Sequence, residues 1–175
     1  MRKKVIELES GERLLMREPT LDDVSNYITF FEGLAPVDRM FIKDEEINQD
    51  VVSKKITEMQ AENFSGVIAL IEDKIVGEVS ISFPVMGWSN HVGDLQLVVT
   101  KEYRGKGVAR ALIREITLEA AKLGLHKIQV SILEKQESAG RLLKGGGFFK
   151  EGTLVNYIKD DQGKKHDLVV YGYSI

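Results

Sequence analysis

The stretch Leu97-Val-Val-Thr-Lys-Glu-Tyr-Arg-Gly-Lys-Gly-Val-Ala109 decides the fold, because it joins a strand, a turn and a helix in a short space. The apolar start predicts the end of a buried strand. The glycines and charges of Arg104–Gly107 predict a turn. From Ala109 to Leu123 apolar residues recur at helical spacing, and Gly124 stands where a glycine usually follows a helix end.

The elements on either side extend this core. Ile128, Val130 and Ile132 alternate with polar residues, which predicts a strand parallel to the one that ends near Thr100. The other predicted strands are Val5–Leu8, Leu14–Met16, Val67–Ile71 with both faces covered, Ile75–Phe83 with one face covered, Phe148–Ile158 and Lys165–Tyr173. The other predicted helices begin at a Thr20 cap, near Asp44 and near Gln136.

This order of elements predicts one domain over residues 1–175 with an α/β (α+β) fold. We expect a mixed, mostly antiparallel sheet of about seven strands, a central parallel βαβ crossover, and helices on both faces.

Composition narrows the function. The 175 residues are 43% apolar and 29% charged, as in ordinary globular domains. With no cysteine, disulfides, thiolate metal sites and a cysteine nucleophile are excluded. The net charge of -3 argues against a nucleic-acid partner. No apolar run approaches a membrane span or a signal peptide, and the three histidines lack metal-ligand spacing, so we expect a cytoplasmic protein without membrane or metal.

The turn before the long helix carries the chemistry. A helix start has unpaired N–H groups and a partial positive charge, and Arg104 and Lys106 add formal charge. Together these features favour a phosphate or pyrophosphate site, with a solvated basic turn as the alternative. A Walker A loop is excluded because Gly107 follows Lys106, and a dinucleotide fingerprint because Arg110 replaces the third glycine.

Tyr103–Ala109 resembles the acetyl-CoA pyrophosphate loop of the GNAT superfamily of N-acetyltransferases. Arg104, Gly107 and Ala109 meet its pattern Q/R-x-x-G-x-G/A, and Gln136–Phe148 resembles a later helix-and-strand motif of the family. The resemblance runs from about Leu14 to Tyr173. It implies a GNAT-like fold with acetyl-CoA as cosubstrate. It also implies acetyl transfer to a primary amine.

The same resemblance implies roles for individual residues. The strand backbone would hold the pantetheine arm, the N–H groups of 105–109 the pyrophosphate, and the N–H of Val99 the thioester oxygen. The implied cofactor-binding residues are Leu97, Val98, Val99, Thr100, Arg104, Gly105, Lys106, Gly107, Val108, Ala109, Arg110 and Gln136.

The general base is less sharply indicated. Asp94 stands ten residues before Arg104, and some family members have a glutamate at a matching place. A solvated carboxylate at a strand end is the alternative, and Glu78 and Gln96 are weaker candidates. Leu143 occupies the position where many members have a tyrosine that acts as the general acid. The thiolate therefore leaves unassisted or uses another donor, for which the tyrosines of the last two strands, Tyr157, Tyr171 and Tyr173, are candidates if they do not simply pack on neighbours.

The acceptor is open at this level. A protein lysine or N-terminus and a small amine both fit, and a non-catalytic acyl-CoA-binding module is the alternative function. Because no cysteine can carry an acetyl group, an enzyme would transfer it directly in a ternary complex. Trp88 either lines the acceptor cleft or makes a surface contact, and Val37–Phe41 is expected to form another wall. A homodimer is also open, since family members dimerise through varied surfaces.

Overall fold

The computed structural model describes residues 3–35, 38, 47–160 and 162–175. These residues form eight strands and four α-helices. The strands are β1 (Lys4–Glu7), β2 (Arg13–Arg17), β3 (Phe64–Ile71), β4 (Lys74–Ser82), β5 (Val92–Val99), β6 (Lys127–Leu133), β7 (Phe149–Lys159) and β8 (Lys165–Ser174). The helices are α1 (Val24–Glu32), α2 (Gln49–Glu58), α3 (Val108–Lys122) and α4 (Glu137–Gly145).

All eight strands belong to one sheet with the order β1-β2-β3-β4-β5-β6-β8-β7. Only β5 and β6 pair in parallel, and α3 connects them. The predicted crossover is therefore confirmed, as is the mixed, mostly antiparallel sheet. Gly124, which follows α3, has a φ of 75°, the left-handed conformation expected of a glycine after a helix end.

Helices cover both faces of the sheet, as predicted. On the α3 face, the apolar sides of α3 and α4 pack against β1–β6 and β8 in one buried cluster. On the α1 face, α1 and α2 pack against β3 and β4 in a second cluster around Tyr27 and Ile56. The α1 face of β6, β8 and β7 has no helix over it among the described residues.

Strand β4 differs from the expectation of one covered face. Seven consecutive residues are buried, because α3 packs on one side and α1 and α2 on the other. The polar residues of the strand are consequently enclosed. Glu78, 5% exposed, has its carboxylate 3.1 Å from Nζ of Lys55, and that ammonium lies 5.2 Å from the centre of the Phe31 ring. A core ion pair explains how the alternating pattern fits a strand covered on both faces.

The start of α1 is tied to β2. The Thr20 N–H donates to Oδ2 of Asp23 at 2.8 Å, and a short 3₁₀ turn, Leu21–Asp23, precedes the helix. Both carboxylate oxygens of Asp23 accept from the Arg17 guanidinium at 2.6 Å. Burial alone would raise the pKa of Asp23, but the hydrogen bonds from Arg17 and Thr20 outweigh it and lower that pKa.

The second helix is shorter than predicted. It begins at Gln49, because the Asn48 side chain accepts from the Val51 N–H at 3.0 Å and caps the helix there. The predicted start near Asp44 and most of the predicted wall Val37–Phe41 lie outside the described residues. None of the described helices has the length and apolar character that a membrane crossing requires.

Candidate active site

A gap opens in the middle of the sheet where β5 and β6 separate. The two strands pair from Val92 with Lys127 to Leu95 with Val130, and no further pairing between them occurs. Beyond that point β5 stays with β4 up to Val99, while β6 stays with β8 up to Leu133. The result is a V-shaped gap between Gln96–Val99 and 131–133, with its vertex at the Leu95–Val130 pair.

The strand register shows which backbone groups face this gap. Antiparallel neighbours alternate between hydrogen-bonded and non-hydrogen-bonded pairs. The Thr100 N–H donates to the Val76 carbonyl at 2.9 Å, so the next hydrogen-bonded residue along β5 is Val98. The backbone groups of Leu97 and Val99 therefore point the other way, into the gap. The resemblance implied that Val98, Val99 and Thr100 hold the pantetheine arm, but only Val99 of these three faces the gap, because Val98 and Thr100 turn their N–H groups toward β4. Leu97, also implied to bind the cofactor, faces the gap as well.

The turn between β5 and α3 presents a row of backbone N–H groups. Gly105 and Gly107 have φ values of 77° and 91°, and α3 begins immediately after them, at Val108. The first intrahelical bond runs from the Ala111 N–H to the Gly107 carbonyl. The N–H groups of the preceding helical residues, Val108–Arg110, thus have no partner within the helix. These positive φ values favour glycine at both positions. Steric crowding is not the reason at Gly105, because a Cβ there would meet nothing within 4 Å.

The two cations of the turn already have carboxylate partners. Arg104 donates from Nε to the Val99 carbonyl at 3.0 Å and from Nη2 to Oδ2 of Asp38 at 2.7 Å. Lys106 lies 3.4 Å from the Glu12 carboxylate, and its ammonium is 4.6 Å from the centre of the Tyr103 ring. The hydrogen bond from Ser10, and then Lys106, lower the pKa of Glu12. Arg110 is exposed on the helix surface.

Sequence reasoning missed Asp38 and Glu12. Asp38 is 66 residues from Arg104, and Glu12 is 94 residues from Lys106. No local pattern could have connected them, because Glu12, in the turn between β1 and β2, and Asp38 reach the loop only after folding.

An open cleft of about 480 Å³ lies on the α1 face, next to the vertex of the gap. Ser82, Asp94 and Gln129 occupy one row across β4, β5 and β6, so their side chains share this face. The lining residues are Asn63, Ser82, Phe83, Pro84, Ser89, Val92, Asp94 and Gln129. Asp94 is the only charged group among them, so the lining favours a cation over an anion.

The three candidate bases have different surroundings. Asp94 is exposed in the cleft, next to the last paired residue of β5. Gln96 is exposed on the same face but carries no carboxylate. Glu78 is enclosed in the core beside Lys55. Of the three candidates, only Asp94 places a carboxylate in the cleft lining.

Other candidate residues fall away from the gap or turn inward. The Gln136 side-chain oxygen accepts from the Leu133 N–H at 2.9 Å, which connects the end of β6 to the start of α4. Leu143 is 2% exposed within the core of the α3 face. Tyr173 stacks on Phe148 at 5.1 Å, and Tyr157 is exposed on the edge strand β7.

Trp88 does not line the cleft. It is 98% exposed at the tip of the β4–β5 loop, while Pro84 and Ser89 of the same loop face the cleft. In the part of the chain that the structure describes, no group of three or more His, Cys, Asp or Glu side chains could hold a metal ion.

Comparison with known proteins agrees with this architecture. The model of the acetyltransferase (GNAT) family matches residues 32–148. A spermidine N(1)-acetyltransferase from Vibrio cholerae is 25% identical over 126 residues, which cover 71% of this chain and 64% of that protein.

Two solved structures show the same fold. A ribosomal-protein-alanine N-acetyltransferase from Brucella melitensis has a TM-score of 0.80 and 21% identity, over 91% of this chain and 99% of that one. A Salmonella typhimurium protein solved with its cofactor acetyl-CoA has a TM-score of 0.79 and 16% identity, over 92% of this chain and 93% of that one.

The central parallel crossover, the gap beside it and the helix that starts next to that gap lie in the part of the chain that these comparisons match. The chain belongs to the GNAT family of acetyltransferases. This confirms the expected fold, the acyltransferase class and the use of acetyl-CoA.

Proposed function

We propose that this protein is an N-acetyltransferase that passes the acetyl group of acetyl-CoA directly to a primary amine, with both substrates bound at once. The observation that carries the proposal is the arrangement around the vertex of the gap. The backbone groups of Leu97 and the N–H of Val99 face one substrate site without a partner strand among the described residues, and the single carboxylate of the cleft, Asp94, faces the other.

The residues present suit acetyl-CoA. The N–H groups at the start of α3, which have no partner within the helix, can donate hydrogen bonds to the pyrophosphate. The gap-facing backbone groups of Leu97 can pair with an amide of the pantetheine arm as an added strand would. Arg104 and Lys106 lie beside that helix start, where their charge attracts phosphate. Gln136 shapes the opposite wall by holding the start of α4 to β6.

The reaction requires the chain to supply two groups. An alkyl ammonium has a pKa near 10, about that of lysine, so a base must remove a proton before the nitrogen can attack. We assign this step to the Asp94 carboxylate, directly or through one water. A backbone N–H that faces the gap, that of Val99, stabilises the negative oxygen of the tetrahedral intermediate. A bond forms between nitrogen and the acetyl carbon, the carbon–sulfur bond breaks, and its electron pair leaves on sulfur. The attacking nitrogen loses its second proton in the same step, to the departing thiolate or to solvent.

The test of the base is the variant Asp94→Asn, which keeps the size of the side chain and removes its basicity. We expect kcat/KM at neutral pH to fall roughly 10²- to 10⁴-fold, with the acetyl-CoA Kd unchanged. Because the free amine becomes abundant near its own pKa, the loss should shrink as pH rises. Glu78→Gln serves as the comparison. If that variant loses turnover while Asp94→Asn keeps it, Asp94 is not the base.

The acceptor itself is best identified by a panel. The negative cleft favours cationic amines, and both small amines and peptides with a lysine or free N-terminus belong to that class. Labelled acetyl-CoA and a thiol-release assay should be applied to both groups side by side. Tight acetyl-CoA binding without amine-dependent CoA release across the panel would contradict the proposed activity.

A further inference from the structure

The loop between β4 and β5 presents an apolar surface at the edge of the cleft. Residues 83–91 contain no Asp, Glu, Lys or Arg, although 29% of the whole chain is charged. Three of its apolar side chains are exposed, Val85 by 64%, Met86 by 84% and Trp88 by 98%. Exposed apolar side chains that cluster in this way mark sites of contact with another molecule. Tryptophan and methionine are enriched, and charged residues depleted, where proteins bind their partners.

Backbone hydrogen bonds hold both ends of this loop. At its start, the Phe83 N–H donates to the Asn63 carbonyl at 3.0 Å. At its end, the His126 N–H donates to the His91 carbonyl at 2.9 Å, which joins the loop to the residue before β6. Between these two points the chain turns at Gly87, whose φ is 104°. The tip of the loop is therefore held in position with its apolar side chains in solvent.

The same loop forms one wall of the cleft that contains Asp94. Pro84 and Ser89 belong to the cleft lining, and Trp88 directly precedes Ser89. Ser82 and Asp94 pair across β4 and β5, and Trp88 stands midway along the loop between them. A small amine that only fills the cleft would leave the Trp88 side chain in water. A longer acceptor that leaves the cleft past Ser89 would meet it.

We propose that the exposed surface formed by Val85, Met86 and Trp88 binds an apolar side chain of a peptide acceptor whose primary amine lies at Asp94. This inference rests on the proposed function and adds to it a specificity-determining residue, Trp88. The cleft, whose only charged lining residue is Asp94, suits the cationic amine. The uncharged loop suits an apolar residue close to that amine in the peptide, because contact between the two removes apolar surface from water. Peptides and proteins with this pattern are therefore favoured over small amines.

The first test uses peptides of about ten residues, built from Gly and Ser around a single amine, either a lysine or a free N-terminus. Each peptide has Leu or Ser at a position about two to five residues from the amine. We expect Trp88→Ala to lower kcat/KM for the best Leu peptide roughly 10- to 100-fold, the effect of truncating a binding hot spot. The acetyl-CoA Kd, the melting temperature and kcat/KM for n-butylamine should not change. Leu118→Ala is the matched control, because it removes a half-exposed apolar side chain from α3, and it should leave kcat/KM for the Leu peptide unchanged.

The second test needs no turnover, because Trp88 is the only tryptophan of the chain and its fluorescence reports on this surface alone. In the presence of CoA, the Leu peptide should shift the tryptophan emission to shorter wavelength, and the Ser peptide should not. An emission that neither peptide shifts, or an equal kcat/KM of Trp88→Ala and wild type for the Leu peptide, would overturn the inference. A dimer in sedimentation that Trp88→Ala dissociates, or a shift with phosphatidylglycerol vesicles and none with peptides, would overturn it as well, since the loop would then bind a second copy or a lipid surface.

The proposed function and this inference fail in different ways. If no amine supports CoA release while the Leu peptide still shifts the emission, the proposed transfer fails and the peptide-binding surface stands. If small amines are acetylated while the peptides neither bind nor react, the transfer stands and the peptide-binding surface is refuted.

Discussion

Replacement of Gly107 by glutamate tests the cofactor site most directly. Gly107 is the last residue before α3, so its Cα lies beside the N–H groups that are proposed to hold the pyrophosphate. Its φ is 91°, in the left-handed region. The nearest atom to an added Cβ is Cδ2 of Leu8 at 3.8 Å, an ordinary contact. The Cβ of the new side chain therefore does not collide with the protein, and the variant acts through backbone strain and charge.

The two contributions have different magnitudes and different readouts. Any L-residue in the left-handed conformation destabilises the folded state by about 1–2 kcal/mol, whatever its charge. A carboxylate about 5 Å from a phosphate charge opposes binding by about 1–3 kcal/mol, for an effective dielectric constant between roughly 20 and 80. That energy corresponds to roughly 5- to 150-fold weaker acetyl-CoA binding.

Gly107→Gln is the matched control, because it has the same shape and the same strain without the charge. Both variants should lose similar unfolding free energy in urea, while only Gly107→Glu should show the full increase in acetyl-CoA Kd by calorimetry. The difference between the two Kd values should shrink as salt rises from about 0.05 M to about 0.5 M, since salt screens exposed charges. Equal Kd values for Glu and Gln at low salt would refute the placement of the pyrophosphate at this helix start.

Two further predictions concern ion pairs. Asp38→Asn removes the carboxylate that competes with phosphate for the half-exposed Arg104. Exposed ion pairs contribute about 0.2–1 kcal/mol, so acetyl-CoA should bind roughly 1.5- to 5-fold more tightly in calorimetry. Weaker binding would contradict this reasoning. Arg17→Met should lower the free energy of unfolding by about 1.5–3 kcal/mol at neutral pH, because it leaves the buried Asp23 carboxylate without its charged donor. The folded pKa of Asp23 lies below its reference value of 3.8, so its contribution is present above that pH and lost as pH falls through the folded pKa. The difference in unfolding free energy between wild type and Arg17→Met, measured by urea titration, should therefore decrease in acid. Arg13→Met, at an exposed position, is the control. A difference that does not change with pH, or that equals the effect of Arg13→Met, would contradict the role of the Arg17–Asp23 pair.

Much of the fold could be predicted from the sequence, because its pattern is local. The strand, glycine turn and helix of residues 97–123 and the strand after them follow from apolar spacing and from glycines at left-handed positions. The predicted covering of β4 on one face was wrong. Glu78 reads as an outward polar residue in the alternating pattern, and only the packing of α2 reveals the Lys55 ammonium that neutralises it.

The chemistry divides in the same way. The helix start that suits a pyrophosphate could be predicted from Arg104–Gly107 alone, since unpaired N–H groups and nearby charge belong to a continuous segment. The orientation of Leu97 and Val99 could not, because it depends on how β5 pairs with β4. Nor could the row that Asp94 forms with Ser82 and Gln129, because these residues join only through the register of β4, β5 and β6.

The sequence alone thus determined the class of fold and where to expect an anion site, because both depend on the period of apolar residues and on glycine conformation within short segments. The tertiary structure decided which backbone groups face the gap and which carboxylates pair with Arg104 and Lys106. Those outcomes depend on contacts between distant segments. For strand residues such as Asp94, a one-residue change of register would turn the side chain to the other face of the sheet.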